Sequence, residues 1–385
     1  MFMKATQHLP YNRQDIDKDD IAAVVQALEG EIITRGTHVE DFEKAFAEYC
    51  GAAYAVAFNS GTSALLAACF AAEVRAGDRV ISTPNTFVST VGSAVQFGAT
   101  PVFVDIDLNT GNIDLEQVEF NANQSITRGR NIIMPVHFAG RAVDMERMEA
   151  SISNFNTVVI EDAAHAIGSS YPDGKKVGCC EWSDMTIFSF HPVKNITTGE
   201  GGIVTTNHTS NFERLKLYRN NGIVRGFEDP WYYEAQLLSN NLNITDFQAA
   251  LGHNQLKRLD TIAAKRRKLI SAYRRVLKHP VIMLSDEADE RTAFHLNVVL
   301  IDFEALGTTR TEVMNKLLER GIGTQLHYIP VYRHPVFVKM CGNISEYFPN
   351  METYYRQALS LPLFPQMTEE DVERVASELN AVLGH

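Results

Sequence analysis

The sequence predicts an α/β fold: a large domain built on a mostly parallel sheet over residues 13–250, and a smaller α+β domain over 251–385, with 1–12 as an irregular arm. Three observations predict it. Seven short Val/Ile-rich runs lie between residues 53 and 207, and most do not alternate apolar with polar, as in strands covered on both faces. Helical segments separate the runs, which implies crossover connections and parallel neighbours. Beyond residue 276 the composition changes, and strand-like and helix-like segments mix.

In chain order, DKDDIAAVVQALEG predicts a helix from near Asp17, with early acids, apolar residues at helical spacing and a closing Gly30. A second helix, Val39 to Cys50, carries Phe42, Phe46 and Tyr49 on one face. The strand runs are AYAVAF (53–58), RVIST (79–83), TPVFVDI (100–106), NIIMPVHF (131–138), TVVIED (157–162), DMTIFSF (184–190) and GGIVTTN (201–207). One long helix is expected from Thr245 to about Val276. AFHLNVVLI (293–301), a helix near 309–320 and GTQLHYIP (323–330) make up the smaller domain. No internal repeat or low-complexity segment is present.

At 385 residues the chain is long enough for two cores. Its 45% hydrophobic and 21% charged content is that of a soluble globular protein. A net charge of -12 argues against nucleic-acid binding, which needs clustered Lys and Arg, but leaves room for an anionic ligand held locally. The five cysteines, 50, 69, 179, 180 and 341, form no CxxC or Cys/His cluster, so no metal site is expected. An odd count in a chain this long points to a reducing, cytoplasmic setting. The N-terminal MFMKATQHLPYNRQDIDKDD lacks the apolar stretch of a signal peptide, and no run approaches the ~18–20 apolar residues of a membrane span.

Four segments carry chemistry. In SFHPVKNITTGEGG (189–202), Lys194 follows an apolar strand, with Pro192 and Val193 before it and a Gly-rich turn after it. Most lone lysines are solvated surface charges. One held against apolar walls has its pKa lowered, which is what a Schiff-base lysine requires. In VVIEDAAHAIG (158–168), Asp162 ends a strand. It is either a simple helix cap or a buried carboxylate that keeps a pyridine nitrogen protonated. His165, one helical turn on, lies near the phenolic oxygen of such a ring, or else is a satisfied core histidine. In FNSGTSALLAACFAA (58–72), the amides of a helix N-terminus with Gly61, Thr62 and Ser63 form a phosphate cup, unless they are only an N-cap. Ser189 supplies a further donor. In TPNTFVST (83–90), Phe87 is either a stacking aromatic or part of the core.

Together these segments resemble the sugar aminotransferase family named DegT/DnrJ/EryC1/StrS, of the aspartate-aminotransferase-like fold (fold type I of the pyridoxal-phosphate enzymes). The resemblance covers almost the whole chain in family order: TRGTHVEDFE, FNSGTSALLAA, TPNTFVST, PVFVDID, PVHFAG, VIEDAAHAIG, SFHPVKNITTGEGG, TDFQAALG and HYIPVY. It implies pyridoxal 5'-phosphate as cofactor, carried by Lys194, with Asp162 as the pyridinium partner and His165 near the ring oxygen. It implies Phe87 as the stacking aromatic and Gly61, Thr62, Ser63 and Ser189 as the phosphate set. Asn241 matches an asparagine that reaches the phosphate of the neighbouring subunit, so a homodimer with shared active sites is implied. His327 of HYIPVY, with Trp231 and Tyr232 of DPWYYE, is assigned to the substrate, with Tyr233 beside them. One segment departs: where the family often reads Gly-Tyr-Asn-Tyr-Arg, this chain has Ser239-Asn240-Asn241-Leu242-Asn243.

A finer resemblance, in HPVKNITTGEGG, DPWYYE and ALSLPLFP, is to the transaminases that make UDP-4-amino-4,6-dideoxy-N-acetyl-β-L-altrosamine on the route to pseudaminic acid. It implies amino transfer from L-glutamate, released as 2-oxoglutarate, to a UDP-linked 4-keto-6-deoxy-N-acetylhexosamine. The alternatives are a UDP-4-keto-pentose (4-amino-4-deoxy-L-arabinose) or a dTDP-keto sugar as acceptor, and, in a different class, a non-catalytic pyridoxal-phosphate-binding regulator. Lys194 argues against the family's dehydratase branch, which carries histidine there. Lys194 and Asp162 together argue against a protein that has lost catalysis.

Overall fold

The computed structural model describes residues 8–124, 129–226, 229–278, 280–284 and 289–384. The first helix, α1 (Lys18–Leu28), begins at the acidic cluster. Asp17 caps it by accepting from the Asp20 amide at 2.9 Å, and Asp20 Oδ2 accepts from the Asp17 amide at 3.0 Å. Helix α2 (Thr37–Cys50) buries Val39, Phe42 and Phe46, and Gly51 ends it at φ 77°, a left-handed conformation that suits glycine.

The main sheet has seven strands: β1 (Tyr54–Phe58), β2 (Arg79–Ser82), β3 (Thr100–Phe103), β4 (Asn131–Met134), β5 (Thr157–Asp162), β6 (Met185–Ser189) and β7 (Gly202–Thr206). Their order is β1-β7-β6-β5-β4-β2-β3. The pairs among β2 to β6 are parallel, and β7 runs antiparallel to β6 and β1. Helices α3 (Gly61–Ala71), α4 (Ser89–Gln96), α5 (Leu115–Ala122), α6 (Met145–Ile152) and α7 (Thr209–Arg219) complete the large domain. Both faces of the sheet are buried. Val80, Ile132, Ile160 and Ile187 pack with Leu65 and Ala68 of α3 and with Val91 and Ala94 of α4. Ile81, Ile133, Val159 and Phe188 pack with Phe42, Phe46, Val118 and Met148 on the other side. Each such aliphatic side chain contributes about 1.5–3 kcal/mol by leaving water. Strands β8 (Ile223–Val224) and β9 (Glu234–Ala235) pair as a short hairpin.

The single helix expected over 245–276 is two helices, α8 (Asp246–Leu256) and α9 (Leu259–Val276). Arg258 breaks them apart at φ −114°, ψ 9°. Its guanidinium binds Asp15 at 2.9 Å, Asp17 at 3.3 Å and the fully buried Asp20, so the break is held by the cluster that docks α1. Residue 250, the boundary expected from the sequence, lies inside α8, whose Ala249 belongs to the core of the main sheet.

The C-terminal part has a three-stranded antiparallel sheet, β10 (Ile282–Met283), β11 (Asn297–Leu300) and β12 (Ala358–Leu361), in that spatial order. Helices α10 (Arg310–Glu319), α11 (Pro335–Cys341), α12 (Pro349–Gln357) and α13 (Glu369–Leu383) surround it. GTQLHYIP joins that sheet only through a single bridge, Gln325 to Ser360. Residues 1–7 of the arm lie outside the described residues. The rest is not irregular throughout: Leu9 is buried and pairs with Ile322, donating to Gly321 O at 2.8 Å and accepting from the Gly323 amide at 2.7 Å. Among the described residues no helix is long and apolar enough to cross a membrane.

Candidate active site

Parallel strands end on one edge of a sheet, so residues that follow them converge there. A cavity of about 380 Å³ opens at this edge, and its wall includes Gly61, Thr62, Phe87, Asp162, His165, Ser189, Lys194 and His327. Residues more than 250 positions apart in the chain thus meet in one place.

Asp162 ends β5 and is 4% exposed. Its Oδ2 accepts from Thr90 Oγ1 at 2.6 Å and its Oδ1 from the Ala164 amide at 3.0 Å. Thr90 is fixed in turn by Thr86 Oγ1 at 2.7 Å. The carboxylate is therefore oriented before any ligand arrives. Lys194 follows β6 and lines the same cavity. Burial lowers its pKa from 10.5 to about 8, against the pull of the Asp162 charge.

Three buried histidines complete the wall. His165 Nε2 bonds the Tyr328 hydroxyl at 2.8 Å, with the two rings stacked 5.8 Å apart. His327 Nδ1 bonds Ser360 Oγ at 2.8 Å, and its pKa falls to about 3 through burial and the Lys194 charge. The same two causes hold His165 and His295 well below the usual imidazole range. All three are neutral at pH 7.

At the other end lies the N-terminus of α3. Ser60 caps it, accepting from the Ser63 amide at 3.1 Å, and the Gly61 and Thr62 amides have no acceptor within the helix. A Cβ on Gly61 would sit 2.9 Å from Ser189 Cβ, so only glycine lets the helix start against β6. Thr62 Oγ1 bonds Ser89 Oγ at 3.0 Å. This cradle of free amides and hydroxyls fits a phosphate, and the oriented carboxylate fits a protonated ring nitrogen.

Several expected residues are placed differently. Ser63 gives its hydroxyl to Asn59 Oδ1 at 2.6 Å and serves the cap, while Ser60 lines the cavity in its place. Helical geometry turns the third residue of α3 away from the cup. Phe87 is neither core nor enclosed: it is 57% exposed at the rim, 6.4 Å from the Tyr328 ring. Asn241, Trp231, Tyr232 and Tyr233 are exposed and absent from the cavity wall. Asn243 Nδ2 donates to Asn241 Oδ1 at 2.8 Å. The sequence reading missed Tyr11, Thr90, His295 and Tyr328, all in the wall. Thr90 and Tyr328 lay inside segments that carry the predicted chemistry, whereas His295 sits in AFHLNVVLI, read only as part of the smaller domain.

A lysine and a carboxylate facing one cavity on this scaffold define a pyridoxal-phosphate-dependent aminotransferase of fold type I. The model of the DegT/DnrJ/EryC1/StrS aminotransferase family matches residues 14–380, and the chain belongs to that family of sugar aminotransferases. It is 37% identical over 392 residues to the spore coat polysaccharide biosynthesis protein SpsC of Bacillus subtilis, covering 100% of this chain and 99% of that one. It is 36% identical over 377 residues to the UDP-4-amino-4,6-dideoxy-N-acetyl-β-L-altrosamine transaminase of Campylobacter jejuni, covering 97% of each. Helicobacter pylori PseC, an aminotransferase involved in the biosynthesis of pseudoaminic acid, superposes with a TM-score of 0.91 at 30% identity, over 98% of this chain and 100% of that one.

Proposed function

We propose that this aminotransferase moves the amino group of L-glutamate to the C4 keto group of a UDP-linked 4-keto-6-deoxy-N-acetylhexosamine, leaving 2-oxoglutarate. The observation that carries the chemistry is the meeting of Lys194 and Asp162 in one cavity beside the open end of α3. The choice of acceptor is supported by the printed activity of the Campylobacter relative and by the role of the Helicobacter protein.

When bound, pyridoxal phosphate supplies a carbonyl carbon that carries the amino group and a ring that takes up an electron pair. The chain does the rest. The Gly61 and Thr62 amides and the Thr62 and Ser189 hydroxyls would hold the phosphate. Asp162, fixed by Thr90 and Ala164, keeps the ring nitrogen protonated. His165 would serve the ring oxygen, and Phe87, at the rim, would cover a face of the ring. The Lys194 amine, neutral in part at pH 7 to 8, removes a proton from the α-carbon of glutamate and later returns one to C4 of the sugar. His327 faces the substrate.

The site is completed by a second copy of the chain. Asn241 and the aromatic hairpin of Trp231, Tyr232 and Tyr233 are exposed in one subunit, as are Ile32, Ile33 and Leu238, which suits a homodimer in which each subunit lends these residues to the other. The described cysteines are all free thiols, in keeping with a cytoplasmic enzyme. Incubation with glutamate and a panel of UDP- and dTDP-keto sugars, read by mass spectrometry and NMR, tests the assignment. Amination of the UDP-4-keto-6-deoxy-N-acetylhexosamine above the other sugars is the expected result. Preference for the UDP-4-keto-pentose or a dTDP sugar overturns the choice of acceptor.

A further inference from the structure

His295 takes no part in the proposed amino transfer, yet it is among the most confined polar groups of the cavity. It is 2% exposed and lines the cavity, and its ring makes no hydrogen bond among the described residues, with Nδ1 fully enclosed. A buried polar ring with no partner is costly and rare, and calls for a ligand or a moving group. The backbone that carries the ring is held from several sides. The His295 amide donates to Ala139 O at 2.9 Å, and the buried Arg266 donates to the His295 carbonyl at 3.3 Å. Asn195, the neighbour of Lys194, donates to Ala293 O at 3.1 Å, which ties the lysine turn to the segment that leads into β11.

Lys194 is the second group without a partner. Its ammonium makes no hydrogen bond to the described residues, although it carries three donors. Two of the three buried imidazoles are already engaged. His165 bonds Tyr328 through Nε2, and its Nδ1 accepts from the Ala139 amide at 3.4 Å. His327 is held by Ser360. The His295 ring, 4.5 Å from that of His165, is the one with both nitrogens uncommitted. A neutral imidazole always presents one bare nitrogen as an acceptor.

We propose that His295 accepts a hydrogen bond from the Lys194 ε-amine whenever that amine is not covalently engaged, and so turns the amine's lone pair toward the reacting carbon. His295 is then a positioning residue: it takes up no proton and forms no covalent bond. The inference rests on Lys194 being the proton-carrying amine of the proposed function.

The test uses cofactor-free protein, in which the titration of Lys194 is followed by pH-dependent amine acylation and peptide mass spectrometry. A neutral acceptor stabilises the ammonium over the amine, so its loss lowers the Lys194 midpoint. His295→Leu is expected to lower it by about one pH unit, and His295→Gln, which keeps a side-chain acceptor, to restore most of the difference. An unchanged midpoint in His295→Leu overturns the proposal, and so does equal lowering in both variants, the mark of a purely structural role. Should His295→Leu fail to fold, wild-type protein labelled with ¹⁵N-histidine decides: the His295 ring signals follow the Lys194 midpoint if the bond exists. Signals that stay still through that midpoint and move only when glutamate or a UDP-sugar is added identify a substrate contact and overturn it. Loss of turnover in Lys194→Ala, measured in parallel, bears on the proposed function alone.

Discussion

Replacing Lys194 by methionine is expected to stabilise the cofactor-free protein, because burial disfavours the charge of the lysine's ammonium. The folded chain keeps its pKa at about 8 against an ordinary 10.5, a gap of roughly 2.5 pH units. At about 1.4 kcal/mol per unit this is worth ~3 kcal/mol, which solvent reaching the partly exposed side chain trims to about 2. The sign follows from proton counting. Between pH 8 and 10.5 the unfolded chain binds more protons than the folded one, so wild-type stability rises with pH across that window. Below pH 8 the full cost is present, and above 10.5 it is gone. Lys194→Met removes it. Urea unfolding of both proteins, cofactor-free, at a series of pH values from 7 to 10.5 reads the difference. The variant is predicted to be about 2 kcal/mol more stable at pH 7, with the advantage fading as the pH climbs. A variant less stable than wild type at pH 7, or a difference that does not vary with pH, refutes the claim that this ammonium is desolvated.

Two further outcomes follow from the same geometry. Asp162→Asn keeps the shape of the side chain but removes its charge, and is expected to lower turnover on the order of 100-fold or more while moving the Lys194 midpoint further below 8; steady-state kinetics and the titration of Lys194 check the two effects separately. Gly61→Ala places a methyl 2.9 Å from Ser189 Cβ, beside the amides proposed to hold the phosphate, and should cost about 1–3 kcal/mol of cofactor affinity, measured by equilibrium binding of pyridoxal phosphate.

Much of the scaffold was legible because buried parallel strands write themselves as short Val/Ile runs. All seven runs became strands of one sheet. The long helix over 245–276 was misread because its break comes from tertiary contact: Arg258 is a good helix former, and only the distant Asp15, Asp17 and Asp20 draw it out of line. Asp162 and Lys194 stood out because the one ends and the other follows an apolar strand, and the fold brings both to the cavity. Ser63 could not be placed from sequence because a Gly-Thr-Ser string does not reveal which residue of the first turn lines the cavity and which serves the cap. His295 and Tyr11 were invisible for a different reason. Each reaches the site by packing on a distant histidine, His295 on His165 and Tyr11 on His327, and nothing in AFHLNVVLI or HLPYNR marks one side chain as facing a cavity.

The central claim is that residue 194 is the attachment point of the cofactor. Borohydride reduction of the protein loaded with pyridoxal phosphate, followed by proteolysis and mass spectrometry, reads that point directly. The pyridoxyl mass is predicted on Lys194 in the peptide containing HPVKNITTGEGG, at one per chain. A label on another lysine, or on none, contradicts the account.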